Sequence, residues 1–161
     1  MPRLLLVHHS PTASVRALTD AAVAGANDDA IDGVDLVVLP ALEATAADVL
    51  DADGYLLGTP ANFGYMSGAL KHFFDSTFLA IGGSLADDGS AGPATEGRKP
   101  FGLYVHGRYD TTGAVRSVLS IVQALPWRQA ADVLEVIGEV TEADTDAAYE
   151  LGATLAALLA D

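Results

Sequence analysis

Short apolar runs alternate with helix-spaced apolar positions along the whole chain. Arg3–His8 is an aliphatic run closed by Ser10-Pro11, and Ala13–Ala26 follows with Val15, Leu18, Ala22 and Val23 at helical spacing. Val34–Leu39, rich in β-branched residues, stops at Pro40, and residues 43–52 form a weaker helical stretch. Gly54–Gly58 reads as a third buried strand, followed by Thr59-Pro60. Leu70, Phe73, Phe74 and Phe78 make one apolar stripe and the clearest helix. Ile81–Lys99 carries five glycines and Asp87-Asp88, and reads as a loop or insertion that is mobile or engaged in self-association. A fourth strand, Pro100–His106, precedes a helix over Thr112–Leu125. Trp127, after Pro126, reads as a packing residue. A fifth strand, Asp132–Gly138, leads to a last helix lined by Leu151, Leu155, Leu158 and Leu159. Thr141-Glu142-Ala143-Asp144 opens that helix as a capping box with Asp in place of Glu.

Strands alternating with helices imply parallel βαβ units with helices on both sheet faces. The runs are near-continuously apolar, as strands buried on both faces are. At 161 residues the chain is the size of one domain, residues 1–161, without repeats or internal boundaries. No apolar run reaches the ~18 residues of a membrane helix, and Leu4–Val7 is too short for a signal-peptide core, so a cytoplasmic location is expected. With no cysteine, disulfides, thiolate metal sites and cysteine nucleophiles are excluded. A net charge of -14 lacks the basic footprint of a nucleic-acid binder, and an anionic membrane would repel it. Acidity can steer docking onto a basic partner or simply keep a protein soluble. Only two of the eight basic residues are Lys and Ala is abundant, so most of it reads as the style of a salt-adapted proteome.

In such sheets ligands bind outside the carboxyl ends of the strands, at the topological switch point. The loops after strands one, three and four are the most distinctive segments of the chain. His9-Ser10-Pro11-Thr12-Ala13-Ser14-Val15 places three hydroxyls on a strand-to-helix turn. A helix start offers free amides and a positive dipole end, so Ser10, Thr12 and Ser14 can help hold a phosphate without Lys or Arg. Plain N-capping explains the same residues. Neither a Walker A loop nor G-x-G-x-x-G is present. Thr59–Gly68 holds Phe63 and Tyr65, suited to contact with a flat ring, and Gly64, which permits close backbone approach or a positive φ. Its length exceeds the ~2–6 residues of a routine βα turn, although its aromatics can equally belong to the core. The third, His106-Gly107-Arg108-Tyr109-Asp110-Thr111-Thr112, combines an imidazole, a guanidinium and a phenol, or is a polar loop with Thr112 as N-cap. His8 and His9 are adjacent and cannot form an i, i+4 metal pair, and His72 beside Lys71 reads as solvated, so no metal site is expected. Gly64-Tyr65-Met66-Ser67-Gly68 has the wrong spacing for a nucleophile elbow. A receiver domain would need acidic residues after strand one, where there are none.

The run Gly58-Thr59-Pro60-Ala61-Asn62-Phe63-Gly64-Tyr65-Met66-Ser67-Gly68-Ala69-Leu70-Lys71-His72-Phe73-Phe74-Asp75 resembles the second flavin loop and following helix of the flavodoxin-like NAD(P)H-dependent FMN reductases. The resemblance is closest to their WrbA-like quinone oxidoreductase branch. It implies a flavodoxin-like doubly wound α/β fold with a five-stranded parallel sheet in the order 2-1-3-4-5. It also implies an FMN cofactor. Its phosphate would lie on Ser10, Thr12, Ser14 and Val15, and its ring between Pro60, Asn62, Phe63 and Gly64 on one side and His106, Gly107 and Tyr109 on the other. Loop one lacks the family's frequent Gly, loop three is unlike its Thr/Gly-rich run, and the chain is shorter than that branch, which bears on its tetramer.

The activity this implies is reduction of the flavin by NAD(P)H and transfer of its electrons to a quinone-like or other small acceptor, in a monomer or a homo-oligomer. The cofactor carries the chemistry; His106 or Tyr109 is the side chain placed to donate a proton to an acceptor oxygen. The alternative is a non-enzymatic flavodoxin-type carrier whose acidic face docks on basic redox partners, with Tyr109 stacked on the ring and a peptide flip at Phe63-Gly64. A third reading keeps the fold without flavin.

Overall fold

A computed structural model of the chain describes residues 1–82 and 98–160. The strands are β1 (Arg3–His8), β2 (Asp35–Pro40), β3 (Gly54–Asn62), β4 (Tyr65–Met66), β5 (Lys99–Gly107), β6 (Trp127–Gln129) and β7 (Leu134–Ile137). The helices are α1 (Ala13–Ala26), α2 (Ala46–Asp51), α3 (Gly68–Ile81), α4 (Thr112–Val122) and α5 (Glu142–Ala160). Of the expected 81–99 loop, Ile81 closes α3 and Lys99 opens β5, while residues 83–97 lie outside the described residues.

The sheet runs β2-β1-β3-β5, and β6 and β7 share the outer edge of β5. All of these pairs are parallel. The expected order of five strands therefore holds, with the fifth position filled by two short pieces. The first piece, β6, was not expected. Trp127 pairs with Lys99 in the ladder, and its ring stacks on Tyr55 with centroids 4.0 Å apart. The packing residue is thus also a strand residue. The chain leaves the edge after Ala130 bonds Phe101, and returns as β7 beside Tyr104–Gly107.

Alternation along the strands sorts the core into two layers. Leu4, Leu6, Leu56 and Tyr104 face α1 and α5, while Leu5, Val7, Leu57, Phe101, Leu103 and Val105 face the side of α3 and α4. Helix starts are set by short polar side chains, Thr12 for α1, Thr45 for α2 and Ser67 for α3. Thr45 and Asp48 cap each other reciprocally in a capping box. At α5 the Asp144 carboxylate accepts from the Thr141 amide and hydroxyl at 2.8 and 3.0 Å. α4 stops at Val122 rather than Leu125, because the chain there winds into turns ahead of Pro126.

α1 and α5 cross with their backbones almost in contact. A Cβ on Gly25 would strike the Tyr149 carbonyl, and one on Gly152 would strike the Ala22 carbonyl. Helix propensity alone would make alanine better than glycine by roughly 1 kcal/mol. Here the sign reverses: Gly152→Ala is expected to destabilise the protein by about 1–3 kcal/mol, the usual cost of overpacking. Urea denaturation measures it, and a raised midpoint would contradict the close crossing.

Candidate functional site

β1 and β3 pair as far as His8 and Gly58, and the His9 amide still donates to the Gly58 carbonyl at 3.0 Å. Beyond that point the first chain turns to α1 on one face, and the second continues to α3 on the other. The crevice between adjacent strands whose connections part this way is where open α/β sheets bind ligands.

In loop one, Thr12 caps α1 by accepting the Val15 amide at 3.3 Å. Val15 itself is core, so it can offer an anion only its amide, and that amide is already shared with Thr12. The amides of Ser10, Thr12, Ala13 and Ser14 donate to nothing among the described residues. Such a set at a helix start can hold a phosphate. The Ser10 hydroxyl is turned inward, not outward as the sequence reading expected. It lies 2.8 Å from His8 Nδ1 and 2.8 Å from Thr19 Oγ1, which is 2.6 Å from the buried Tyr104 hydroxyl. Tyr104 reaches Thr19 because Gly58 lets its ring lie against the β3 backbone; a Cβ there would overlap the phenol.

Loop two is not a loop but a hairpin. β3 runs on through the buried Pro60 to Asn62, and Ala61 and Asn62 pair antiparallel with Met66 and Tyr65 of β4. Pro60 is tolerated because, like Gly58 two residues earlier, it turns its missing N–H toward β1, which has already ended. Phe63 and Gly64 form the two-residue turn with φ of 51° and 74°, the geometry of a type I′ hairpin. Phe63 is the only non-glycine residue with positive φ among the described residues, and it is fully exposed. A bulky residue in that region is strained, and backbone strain of this kind collects at functional sites. The hairpin is held from beneath. Thr59 Oγ1 accepts the Ser67 amide at 3.0 Å, and Ser117 Oγ of α4 accepts the Met66 amide at 3.3 Å. Gly113 in the first turn of α4 lets the Gly64 carbonyl close onto the helix, where a Cβ would collide. Gly113 and Ser117 were missed by sequence reasoning; a glycine inside a helical first turn was the available signal.

Loop three turns tightly at the buried Gly107, where a Cβ would come within 2.7 Å of the Asp110 carbonyl. Thr111, not Thr112, is the N-cap of α4, and its hydroxyl donates to Glu135 at 2.7 Å. The Asp110 carboxylate takes the Thr112 amide and hydroxyl at 3.0 and 2.8 Å, and these bonds hold its carboxyl below the usual range. His106 Nε2 lies 2.7 Å from the Gly138 carbonyl. A carbonyl only accepts, so Nε2 carries the proton and spends it there. The Nε2 proton is therefore not offered to a ligand, and of the two expected donors it is Tyr109 whose proton is free. Tyr109 is 83 % exposed, and its hydroxyl accepts from Arg108 Nε at 3.3 Å, leaving its own proton free.

The structure brings Ser14, His106 and Tyr109 together around one cavity of about 400 Å³, with Arg108, Gly138 and Glu139 completing its wall. His106 shares its sheet face with Tyr104, the face of α1 and α5. Asn62, Phe63 and Gly64 instead stand at the hairpin tip on the α4 side. The residues expected to flank one ring are thus divided between the two sides of the crevice, with Gly107 approaching Ala61 at the base.

The family profile of the NADPH-dependent FMN reductases matches residues 9–142, a span containing all three loops. The chain belongs to this family. Its flavin is FMN, and the free amides at α1 and the exposed aromatics at the hairpin suit a phosphate and a planar ring. A flavodoxin of Aquifex aeolicus (strain VF5) is 29% identical over 85 residues, 53% of this chain and 45% of that protein, so the match spans less than half of the relative. Among solved structures, a flavodoxin from the domain Archaea superposes with a TM-score of 0.77 at 15% identity, covering 98% of each chain. A flavodoxin, WrbA-like protein from Agrobacterium tumefaciens gives 0.67 at 17% identity over 99% of this chain and 98% of its own. Both share the flavodoxin-like fold.

Two outcomes follow for this reductase-family chain. Phe63→Asn relieves the left-handed strain at an exposed position and supplies the favoured Asn-Gly turn, so the ligand-free protein should gain about 1 kcal/mol. A fall in its thermal midpoint would contradict the strain. The pH dependence concerns His8, whose pKa lies below the ordinary 6.5 because of burial and then the neighbouring His9, with Asp20 opposing. The unfolded chain therefore binds the proton first as pH falls. Stability from this group is complete above 6.5 and is lost as pH drops from there through the folded value. His8→Gln should flatten that part of the stability profile.

Proposed function

We propose that this chain uses NADPH or NADH to reduce a quinone-like or other small acceptor through FMN. The observation that carries the reading is the set of unpartnered amides at Ser10, Thr12, Ala13 and Ser14 across the crevice from the strained Phe63-Gly64 hairpin. FMN, when bound, supplies hydride acceptance and electron transfer. The protein holds its phosphate on those amides with the hydroxyls of Thr12 and Ser14, and lines the ring with Pro60, Asn62, Phe63 and Gly64. Gly107 and Tyr109 bound the other side, and His106 braces Tyr109's loop against Gly138. Tyr109 is the side chain with a proton to give to an acceptor oxygen. We take residues 1–161 to act as one cytoplasmic domain, alone or as a homodimer or higher homo-oligomer. Among the described residues no helix is long and apolar enough to cross a membrane.

A second reading, a flavodoxin-type carrier, draws on the exposed Phe63 and Tyr109 rim and the acidic surface, which suit docking on a basic protein. Consumption of NADPH with a quinone separates the two: turnover supports the enzyme, and a flavin that NADPH does not reduce supports the carrier. With turnover in hand, Tyr109→Phe should lower acceptor reduction by ~10²-fold, the lower range for general acid catalysis, while reduction of the flavin by NADPH proceeds. Unchanged acceptor turnover would remove the role given to Tyr109.

The phosphate placement has its own test. FMN should bind more tightly than riboflavin or FAD, and Ser14→Ala should weaken FMN by roughly 0.5–3 kcal/mol, the span for hydrogen bonds up to charge-assisted ones. Equal affinity for FMN and riboflavin would overturn it.

A further inference from the structure

The hydrogen bonds beneath loop one have a direction. Tyr104 is fully buried and its hydroxyl has one partner among the described residues, Thr19 Oγ1. A buried phenol proton without an acceptor is costly, so Tyr104 donates to Thr19. Among the described residues the Thr19 proton then has one acceptor left, the Ser10 oxygen. The Ser10 proton in turn goes to His8 Nδ1. The chain runs Tyr104 to Thr19 to Ser10 to His8, which requires a neutral His8 with its proton on Nε2. In this state the Ser10 hydroxyl has no proton to offer an anion.

Resting on the phosphate placement proposed above, we propose that loop one takes up a proton as it binds the phosphate of FMN: His8 is protonated at Nδ1 and donates to Ser10, and the released Ser10 hydroxyl donates to the phosphate. The balance is one solvent proton gained by His8 and one hydrogen bond redirected at Ser10, with Tyr104 and Thr19 unchanged. Ser10 then accepts from both Thr19 and His8, filling its two lone pairs. The charged groups facing His8 are His9 beside it and Asp20 on α1; β2 and β3 on either side present Pro40 and Gly58. Burial and His9 favour the neutral form of His8 in the free protein, and a phosphate beside loop one favours the charged form.

The test is calorimetric titration of FMN and of riboflavin in buffers of different ionisation heat, from about pH 8 down to about pH 5, where histidine changes charge. The phosphate's own ionisation near ~6 contributes equally in every variant, so the proton count of wild type is compared with His8→Gln and Ser10→Ala. Wild type should take up more protons than either variant on binding FMN, and its affinity should gain up to about tenfold per pH unit over theirs, the limit for one proton. Riboflavin should bind without this difference. Histidine NMR of the unmutated protein should show the His8 midpoint rising with FMN and not with riboflavin, a readout independent of any variant's folding. Equal proton uptake in wild type and both variants, or an unmoved His8 midpoint, with FMN still favoured over riboflavin, overturns the relay and spares the phosphate placement. Loss in His8→Gln but not in Ser10→Ala also overturns it, because charge alone would then suffice. Equal affinity for FMN and riboflavin overturns both.

Discussion

The site depends on two strands that pair to His8 and Gly58 and then separate. While β1 and β3 run together, each satisfies the other's backbone groups. Once their connections leave for opposite faces, the amides of loop one have no strand to meet and collect at the start of α1. A crevice of free donors therefore follows from topology before any side chain is considered. Gly58, the last residue of the pairing, is also where the Tyr104 ring needs space to reach Thr19. The same point in the sheet opens the crevice and anchors the network under it.

That topology reconciles the proposed phosphate site with a net charge of -14. Neutral amides, a helix dipole and hydroxyls attract a phosphate through partial charges aimed at it, whereas the formal charges of the surface are spread and screened. Among the described residues the Arg and Lys side chains contribute only Arg108 to the cavity wall, and its guanidinium lies over the Tyr109 ring with 5.9 Å to the centroid.

The hairpin shows a different economy. Phe63 accepts a left-handed backbone while burying nothing in the free protein. The turn persists because β4, Ser117 and Gly113 constrain both its arms and its tip. Surrounding bonds hold the strained turn in place, and with it the point at which the exposed Phe63 leaves the backbone.

Much of this was legible in the chain itself. Apolar periodicity determined the alternation of strands and helices, the two-sided sheet and the three loops at its carboxyl end, because burial on a strand or helix repeats with a period that residue order records. The stretch from Gly58 to Asp75 carried the family. Partners distant in sequence were not legible. Nothing local to Trp127 says that it joins the ladder beside Lys99, nothing in Thr59-Pro60 says that the strand continues into a hairpin, and the proton on His106 is placed by a carbonyl at Gly138. The inward turn of Ser10 likewise depends on Thr19 and, through it, on Tyr104 of β5. Sequence determined which groups were available and at what spacing along each element. Which of them meet was decided by the tertiary structure, because hydrogen-bond direction and available space are properties of atoms brought together across the sheet, not of residues next to one another.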